Sequence, residues 1–293
     1  MVAMMQIRQR PDPTLALVPS RPPTAAGPAE VLTTIQVSNL SIVFDTPQGQ
    51  VIAVDRVTFS VNQGEFVCIV GPSGCGKSTV LNTIAGLEVP YSGEVTVDGR
   101  PMQRPRPDVG MVFQQPHLFP WKSVRSNIAH GPRMLGKSRG EARAIADGLI
   151  EMIGLGRFAD AYPHTLSGGM QQRVAIARAL ANQPRVLLMD EPFGALDAQT
   201  RSVMQDNLLE LRERIDATVV FVTHDIDEAI LLADRVLIMS AGPGRILRDL
   251  GVDLPRPRSN AIMLDPAYIA LKKDCLDLIR SEGRRAFEQS TAG

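Results

Sequence analysis

The stretch "GPSGCGKST", from Gly71 to Thr79, constrains the fold and the chemistry of this chain more than any other segment. It follows an apolar run, "EFVCIV", and precedes a run with helical periodicity, "VLNTIAGL". Glycines let a backbone turn so that successive N–H groups point at one anion, and a following helix adds the positive end of its dipole. The stretch matches the pattern G-x-x-x-x-G-K-[ST], which predicts a site for the phosphates of a nucleoside triphosphate.

Within this phosphate loop (Gly71–Thr79), side chains and backbone have different predicted roles. Lys77 is expected to reach the β- and γ-phosphates, and the Ser78 hydroxyl is expected to bind Mg²⁺. Cys75 is expected to contribute its backbone alone. The residues predicted to bind the nucleotide in this loop are Gly71, Pro72, Ser73, Gly74, Cys75, Gly76, Lys77, Ser78 and Thr79.

A second candidate site lies at the end of the run "VLLMDEP", which is typical of a buried strand and finishes at Asp190 and Glu191. An aspartate at a strand end suits the shell of a Mg²⁺ ion, and the neighbouring glutamate suits a general base that polarises an attacking water. Two adjacent carboxylates in this place are also typical of a cap on the following helix. The phosphate loop in the same chain favours the catalytic interpretation.

Strands and helices alternate through much of the chain in a way that predicts an α/β fold. "RVLLMDEP" and "ATVVFVTHD" are apolar runs that end in polar residues, and the helical run "DAQTRSVMQDNLLELRERI" separates them. This order predicts a parallel sheet whose ligands bind at the carboxyl ends of its strands. Upstream, "TTIQVSNLSIVF" and "AVDRVTFSVNQGEFVCIVG" alternate apolar and polar residues, which predicts antiparallel strands and a turn at residues 62–64 before a buried strand.

Composition and charge narrow the classes of protein that fit. Lys and Arg total 31, and Asp and Glu also total 31, so no nucleic-acid partner held by electrostatics is predicted. Three cysteines without metal-ligand spacing argue against a disulfide framework and fit a reducing compartment. No apolar run is long enough to span a membrane, and the N-terminus lacks an apolar signal core. We therefore expect any work at a membrane to depend on docking onto another protein.

Changes in residue pattern along the chain predict its domains. Residues 1–32 are rich in proline and are expected to form a disordered arm, with a docking peptide as the alternative. Residues 33–252 are expected to form the folded domain, with a helical subdomain inserted at about 115–168. Residues 253–293 are expected to form a linker and an amphipathic helix, with Asp265 as its N-cap. The apolar face of this helix is predicted to carry Tyr268, Leu271, Cys275 and Leu278.

The run "LSGGMQQR", from Leu166 to Arg173, resembles the signature motif of ABC-type ATPases. Five further motifs, "GPSGCGKST", "VFQQ", "LLMDEP", "GALD" and "VTHD", stand with it in the family's order, so the resemblance covers about residues 33–250. It implies ATP hydrolysis with Mg²⁺ on a P-loop NTPase core of the α/β class. The implied core has a mixed sheet, an N-terminal antiparallel β subdomain and an inserted α-helical subdomain.

The resemblance also implies roles for residues outside the phosphate loop. Phe44 matches the position where the family stacks an aromatic ring, often tyrosine, on adenine; the alternative is a core phenylalanine. Gln114 matches the glutamine that senses Mg²⁺ and the attacking water and links the site to the membrane partner. Asp197 falls in the loop that signals between two sites. His224 matches the histidine that contacts the γ-phosphate, with a satisfied core histidine as the alternative. The implied catalytic residues are Glu191, His224 and Gln114, and the implied metal ligands are Ser78, Gln114 and Asp190.

Ser167, Gly168 and Gly169 match the signature residues that close on the γ-phosphate from the opposite subunit. A serine and two glycines at a helix start also form an anion cradle by themselves, from free N–H groups. A chain with two phosphate cradles far apart in sequence favours a head-to-tail dimer of two copies. In such a dimer each ATP lies between the phosphate loop of one copy and the signature motif of the other.

The segment "VFQQPHLFPWKSVRSNI" and the C-terminal tail resemble the nitrate, sulfonate and taurine uptake group of this family. One nucleotide-binding domain without a membrane span implies a bacterial importer with separate permease subunits and a periplasmic or extracellular solute-binding protein. Its expected place is the cytoplasmic face of the inner membrane. Trp121 is expected next to the coupling surface, or alternatively in the core. Importers of thiamine precursors or aromatic acids, soluble ABC ATPases of translation or DNA repair, and a regulatory module remain as alternatives.

Overall fold

The computed structural model describes residues 32–47, 49–194, 196–214 and 217–291. Two sheets and a set of helices make up this part of the chain. Apart from its last residue, the predicted proline-rich arm at 1–32 lies outside the described residues. No helix within the described ranges is both long and apolar enough to cross a bilayer.

Ten strands in the described part of the chain form the two sheets. They are β1 (Thr33–Thr46), β2 (Gly49–Asn62), β3 (Phe66–Val70), β4 (Ser92–Val97), β5 (Arg100–Pro101), β6 (Val109–Val112), β7 (Val186–Asp190), β8 (Thr218–Thr223), β9 (Arg235–Met239) and β10 (Ile246–Gly251). The smaller sheet has the order β2-β1-β4-β5 and is antiparallel. The larger sheet has the order β10-β9-β3-β8-β7-β6, in which β10 is antiparallel to β9 and the other pairs are parallel.

The larger sheet is buried at its centre, where β3, β7 and β8 have no exposed residue. Parallel strands covered on both faces have continuous apolar sequences, as these runs do. The turn at residues 62–64 carries the chain from the antiparallel sheet into β3, and Gly64 adopts a φ of 70° there. The predicted α/β fold with a mixed sheet and an antiparallel β portion is confirmed. The carboxyl ends of β3, β8, β7 and β6 lie along one edge of the sheet, where such sheets bind ligands.

Eight α-helices lie between or after these strands within the described ranges. They are α1 (Lys77–Ile84), α2 (Val124–Ile128), α3 (His130–Met134), α4 (Arg139–Met152), α5 (Gly168–Leu180), α6 (Ala198–Arg214), α7 (Ile226–Leu232) and α8 (Pro266–Thr291). Several begin at side chains that cap their free N–H groups. Ser138 and Glu141 form a reciprocal capping box at α4, and Ser167 and Asp225 cap α5 and α7. These starts follow from the sequence because a cap acts over three or four residues.

Helices α2, α4 and α5 pack around a hydrophobic cluster of their own. The cluster includes Val124, Ile128, Ala146, Ile150, Val174 and Ala177. Helix α5 also places Ile176 and Leu180 in the core that contains β7 and β8. Because α5 belongs to both clusters, the packing gives no sharp boundary at residue 168. The division of the chain at about 115–168 therefore stays a prediction, as do the boundaries 33–252 and 253–293.

The C-terminal helix α8 packs against the same core as α7 and β9. Tyr268 and Cys275 are buried, and Leu271 and Leu278 are partly buried against this core, so the predicted apolar face is confirmed. The Asp265 carboxylate accepts a hydrogen bond from the Ala267 N–H at 2.8 Å, as expected for an N-cap.

Arg258 attaches the linker before α8 to the end of α7, and we expect it to contribute strongly to stability. The side chain is buried, which lowers the pKa of Arg258. Its guanidinium donates to the backbone carbonyls of Ile230, Leu231, Ala233, Val252 and Leu254. Arg258→Leu leaves these acceptors without their donor and should lower the free energy of unfolding by about 2–4 kcal/mol. Urea denaturation measures the free energy of unfolding, with Arg248→Leu as the control because Arg248 is exposed. Equal free energies of unfolding for the two variants would contradict the prediction.

Candidate functional site

The phosphate loop connects the end of β3 to the start of α1, at the carboxyl edge of the parallel strands. Gly74 and Gly76 have φ angles of 79° and 93°, in the left-handed region that favours glycine. A Cβ at Gly76 would lie 2.8 Å from Val54 Cγ2 and 2.9 Å from the Ala53 carbonyl. Gly76 is therefore required both by its backbone conformation and by the closeness of β2.

Lys77 is buried within the loop that precedes it, with only 5% of its surface exposed. Its Nζ donates to the carbonyl oxygens of Gly71 and Pro72, each at 2.9 Å. These bonds hold the ammonium group against the loop at the positive end of α1, which has no acidic residue in its first turn. A cation and free helical N–H groups together favour an anion.

Ser78 and Asp190 meet at this edge although 112 residues separate them in sequence. The Ser78 hydroxyl donates to Asp190 Oδ1 at 2.8 Å. Burial raises the pKa of Asp190, while the bond from Ser78 opposes the rise. A buried carboxylate is stabilised by a cation, and a hydroxyl beside it supplies a second oxygen ligand of the kind that Mg²⁺ prefers. The two side chains therefore fit the predicted metal.

Glu191, which follows β7, forms a cluster with His224 and Gln114, which follow the strands on either side of it, β8 and β6. Its Oε2 lies 3.1 Å from His224 Nδ1 and accepts a bond from Gln114 Nε2 at 3.4 Å. Glu191 has a φ of 43°, which is uncommon for a residue other than glycine and is found often at functional sites. The structure thus brings the three predicted catalytic residues together.

At the carboxyl edge of the sheet, two of the alternatives from the sequence are wrong. The His224 side chain is 60% exposed, so it is not a core histidine. The carboxylates of Asp190 and Glu191 do not cap α6, because Asp197 does so: its Oδ1 accepts from the Thr200 N–H at 3.0 Å. Bonds from the Thr200 N–H and hydroxyl lower the pKa of Asp197, so this cap is an anion at neutral pH.

Phe44 lies on the surface of the antiparallel sheet rather than in the core, with 38% of its surface exposed. It pairs with Val51 across β1 and β2, and Val51 and Ile52 are also exposed. The next residues of β2, Ala53 and Val54, are the close neighbours of Gly76. An exposed apolar patch therefore begins beside the phosphate loop, which is where an adenine ring would need a stacking surface.

The signature residues stand at the start of α5. The Ser167 hydroxyl accepts a bond from the Met170 N–H at 3.3 Å and so caps the helix. A Cβ at Gly168 would meet nothing within 4 Å, whereas one at Gly169 would lie 3.0 Å from Leu196 Cδ2. Among the described residues, no hydrogen bond joins this cradle to the phosphate loop of the same chain. The structure does not unite the two cradles into one site.

Sequence reasoning missed two residues of α5 that hold the segment around Gln114. Gln172 is buried and donates to the carbonyl of Phe113 at 3.1 Å. Arg178 donates to the carbonyls of Pro116 and His117, at 3.0 and 2.8 Å. The helix that begins at the signature motif is therefore bonded to the backbone on both sides of Gln114. The available signal was the presence of two glutamines and two arginines in a helix whose other residues are small or apolar.

Two residues that flank His224 were also missed. Thr223 donates to the buried Glu228 carboxylate at 2.7 Å and accepts from the Asp225 N–H at 3.0 Å. Asp225 caps α7 through the N–H groups of Asp227 and Glu228. Burial raises the pKa of Glu228, and the bond from Thr223 opposes the rise. The pattern Asp-x-x-Glu at a helix start was the available signal.

Comparison with known proteins identifies the family of this chain. A profile described as ABC transporter matches residues 54–194. A putative ATP-binding protein of Brucella abortus is 49% identical over 245 residues, which are 84% of this chain and 94% of that protein. The nitrate import ATP-binding protein NrtD of Synechococcus elongatus is 48% identical over 240 residues, which are 80% of this chain and 88% of that protein.

Solved structures agree with the sequence relatives. A dimeric ATP-binding cassette in a post-hydrolysis state, bound to ADP and Pi, is 35% identical and superimposes with a TM-score of 0.69. The match covers 75% of this chain and all of that chain. The family resemblance of the six motifs is thereby confirmed. The chain belongs to the ABC transporter family, as an ATP-binding protein that hydrolyses ATP.

Proposed function

We propose that the chain is the ATPase subunit of an importer that takes up a small anion such as nitrate, an alkanesulfonate or taurine through separate membrane subunits. The observation that carries the proposal is the similarity to the NrtD proteins of Synechococcus elongatus and Synechocystis, named for nitrate import, at 48% and 43% identity. A relative named for bicarbonate transport, from Synechocystis, is 45% identical over 255 residues, which are 85% of this chain but 38% of that protein.

Each of the residues at the sheet edge has a separate role in ATP binding and hydrolysis. Lys77 and the backbone of the phosphate loop bind the phosphates, and Phe44 stacks on adenine. Ser78, Asp190 and Gln114 hold Mg²⁺, which neutralises charge on the phosphates when it is bound. Glu191 accepts a proton from the attacking water as general base. His224 fixes the Glu191 carboxylate and contacts the γ-phosphate. The support is the set of contacts among these side chains, which lie at the ends of four strands, β3, β8, β7 and β6.

A second copy of the chain completes each site. Ser167, Gly168 and Gly169 contact the γ-phosphate of the ATP that the other copy binds, and Asp197 lies in the loop between the two sites. The open space around Gly168 supports this, because an approaching phosphate needs it. Two solved relatives of the chain are dimeric cassettes. ATP that contacts both copies favours the closed dimer by its higher affinity for that state.

The permease docks beside the Gln114 segment, at Trp121 and a neighbouring basic groove. Trp121 is 71% exposed and packs against Phe119 with ring centroids 5.8 Å apart. The groove begins at Lys122 and is lined by five Lys and Arg side chains, of which Arg125 pairs with Asp147 and Asp160 and Arg143 pairs with Asp147. An exposed aromatic ring beside a basic surface favours a protein partner with acidic groups. The basic side chains of the groove are Lys122, Arg125, Arg133, Arg139 and Arg143.

This surface is connected to the catalytic residues. Arg178, which binds the backbone after Gln114, also lies 5.6 Å from the centre of the Phe119 ring. Movement of the permease against Trp121 would therefore be transmitted to Gln114 through Phe119 and Arg178. The chain thus acts as a peripheral protein at the cytoplasmic face of the inner membrane. A solute-binding protein outside that membrane delivers the anion.

Trp121→Ala should weaken permease binding at least about tenfold, since a central exposed aromatic residue carries a large share of interface energy. ATP hydrolysis by the isolated chain should be unchanged. The measurement is recovery of membrane subunits on the tagged variant from detergent-solubilised membranes, quantified by mass spectrometry. Tyr91→Ala is the matched control, because Tyr91 is 69% exposed but lies in the loop between α1 and β4. Equal recovery with both variants would rule out docking at Trp121.

The same experiment with the unmodified chain tests the proposed function. An integral membrane protein and a solute-binding protein should be recovered, and a small anion carried with them would identify the solute. Recovery of ribosomes or DNA-repair proteins without a membrane partner would leave the ATPase intact but would refute the importer.

A further inference from the structure

Helix α8 is bonded to the first turn of α7 through one carboxylate, that of Asp227. The Tyr268 hydroxyl donates to Asp227 Oδ1 at 2.8 Å, and Lys272 Nζ contacts the same carboxylate at 2.8 Å. Tyr268 is one of the largest fully buried side chains, and α8 is among the helices with the most contacts to α7. The C-terminal helix therefore contacts the element that begins just after His224.

Asp227 transmits this contact toward His224 through its own backbone. Its N–H donates to the Asp225 carboxylate at 2.8 Å, and the Asp225 N–H donates to the Thr223 hydroxyl at 3.0 Å. His224 lies between these two residues, and its Nδ1 is 3.1 Å from Glu191 Oε2. A continuous series of hydrogen bonds and peptide units thus runs from α8 to the candidate general base.

Tyr268 and Lys272 contribute differently to the position of Asp227. Burial, and next the bond to Asp227, raise the pKa of Tyr268 well above its usual range, so the hydroxyl remains a donor at all relevant pH values. Lys272 and Asp227 are each more than a third exposed, and an exposed ion pair alone fixes little. The buried ring of Tyr268 supplies the fixed position, while Lys272 supplies positive charge to the carboxylate, both oxygens of which it contacts.

We propose that α8 is a positioning element of the ATPase site, in which Tyr268 and Lys272 act through Asp227 to fix the turn that carries His224. Neither side chain touches the substrate. The consequence for rate rests on the role proposed above for His224. The predicted effect of α8 on the position of the His224 ring does not rest on that role, because it concerns the geometry of the turn alone. Helix α8, which follows the ATPase motifs in sequence, then contributes to catalysis as well as to the packing of the core.

Steady-state kinetics of the full chain give the first test. Lys272→Met and Tyr268→Phe should each lower kcat for ATP by about three- to tenfold, since one of two donors to a charged group is lost while the other remains. KM for ATP should change less than about twofold, because the phosphate loop is untouched. Lys272→Arg keeps the charge and should restore kcat. Lys273→Met is the matched control, since Lys273 is exposed on the next position of α8.

Nitrogen-15 NMR of the histidine rings gives a readout that does not depend on activity. The chain has 4 histidines, so the His224 signals are identified by their loss in His224→Ala. Lys272→Met and Tyr268→Phe should shift the His224 ring signals and leave the other three in place, and Lys273→Met should shift none. Unmoved His224 signals would overturn the proposal, even if kcat fell. Shifted signals with an unchanged kcat would support the positioning and refute the proposed role of His224.

Discussion

Glu191→Gln should stop ATP turnover while leaving ATP binding intact. The glutamine keeps the size of the side chain and its contacts with His224 and Gln114, but it cannot accept a proton from the attacking water. Removal of a general base costs about 10²- to 10⁴-fold in rate, so kcat should fall into that range. ATP affinity should stay within about twofold of the unmodified chain, because the phosphate loop and Ser78 are unchanged.

The same variant should accumulate as a closed dimer when ATP is present. Hydrolysis reopens the proposed dimer, so a chain that binds ATP without hydrolysing it remains in the state that ATP favours. Phosphate release measures kcat, equilibrium binding of labelled ATP measures the affinity, and size-exclusion chromatography measures the fraction of dimer. Glu94→Gln is the control, since Glu94 is exposed on β4. Rapid hydrolysis by Glu191→Gln would contradict the assignment of the general base.

Lys77→Ala should lose ATP affinity by about 10- to 100-fold, the size expected when charge-assisted bonds to phosphate are removed. Lys77 is buried at the loop, and its ammonium is held by the carbonyls of Gly71 and Pro72. The variant therefore loses a positive charge that is already fixed in place before ATP arrives. Such preorganisation makes the loss larger than that of a flexible surface lysine.

Calorimetric titration with a slowly hydrolysed ATP analogue measures this loss. Lys137→Ala is the control, since Lys137 is an exposed lysine between α3 and α4. Thermal unfolding without nucleotide should be compared as well, because the variant also removes two bonds inside the loop. Unchanged affinity for the analogue would exclude the proposed role of Lys77 in phosphate binding.

The sequence alone determined those features that depend on neighbours in the chain. The glycines and Lys77 of the phosphate loop are recognisable because the backbone turn and the following helix are local. The caps at Ser138 and Ser167 and the apolar face of α8 follow from spacings of three or four residues for the same reason. The order of six motifs then identified the family, and with it the fold.

Contacts between residues far apart in sequence depend on how the strands and helices pack. Gln114, Glu191 and His224 follow three different strands, and their contact depends on the order β8-β7-β6 in the sheet. Exposure likewise excluded the core alternatives for Phe44 and Trp121, since an aromatic residue has the same sequence signal inside or outside the core; adenine stacking and permease contact stay predictions. Hydrogen bonds between segments far apart in sequence, such as Tyr268 to Asp227, have no periodic pattern. Their physical cause is the packing of whole strands and helices, which no short stretch of sequence contains.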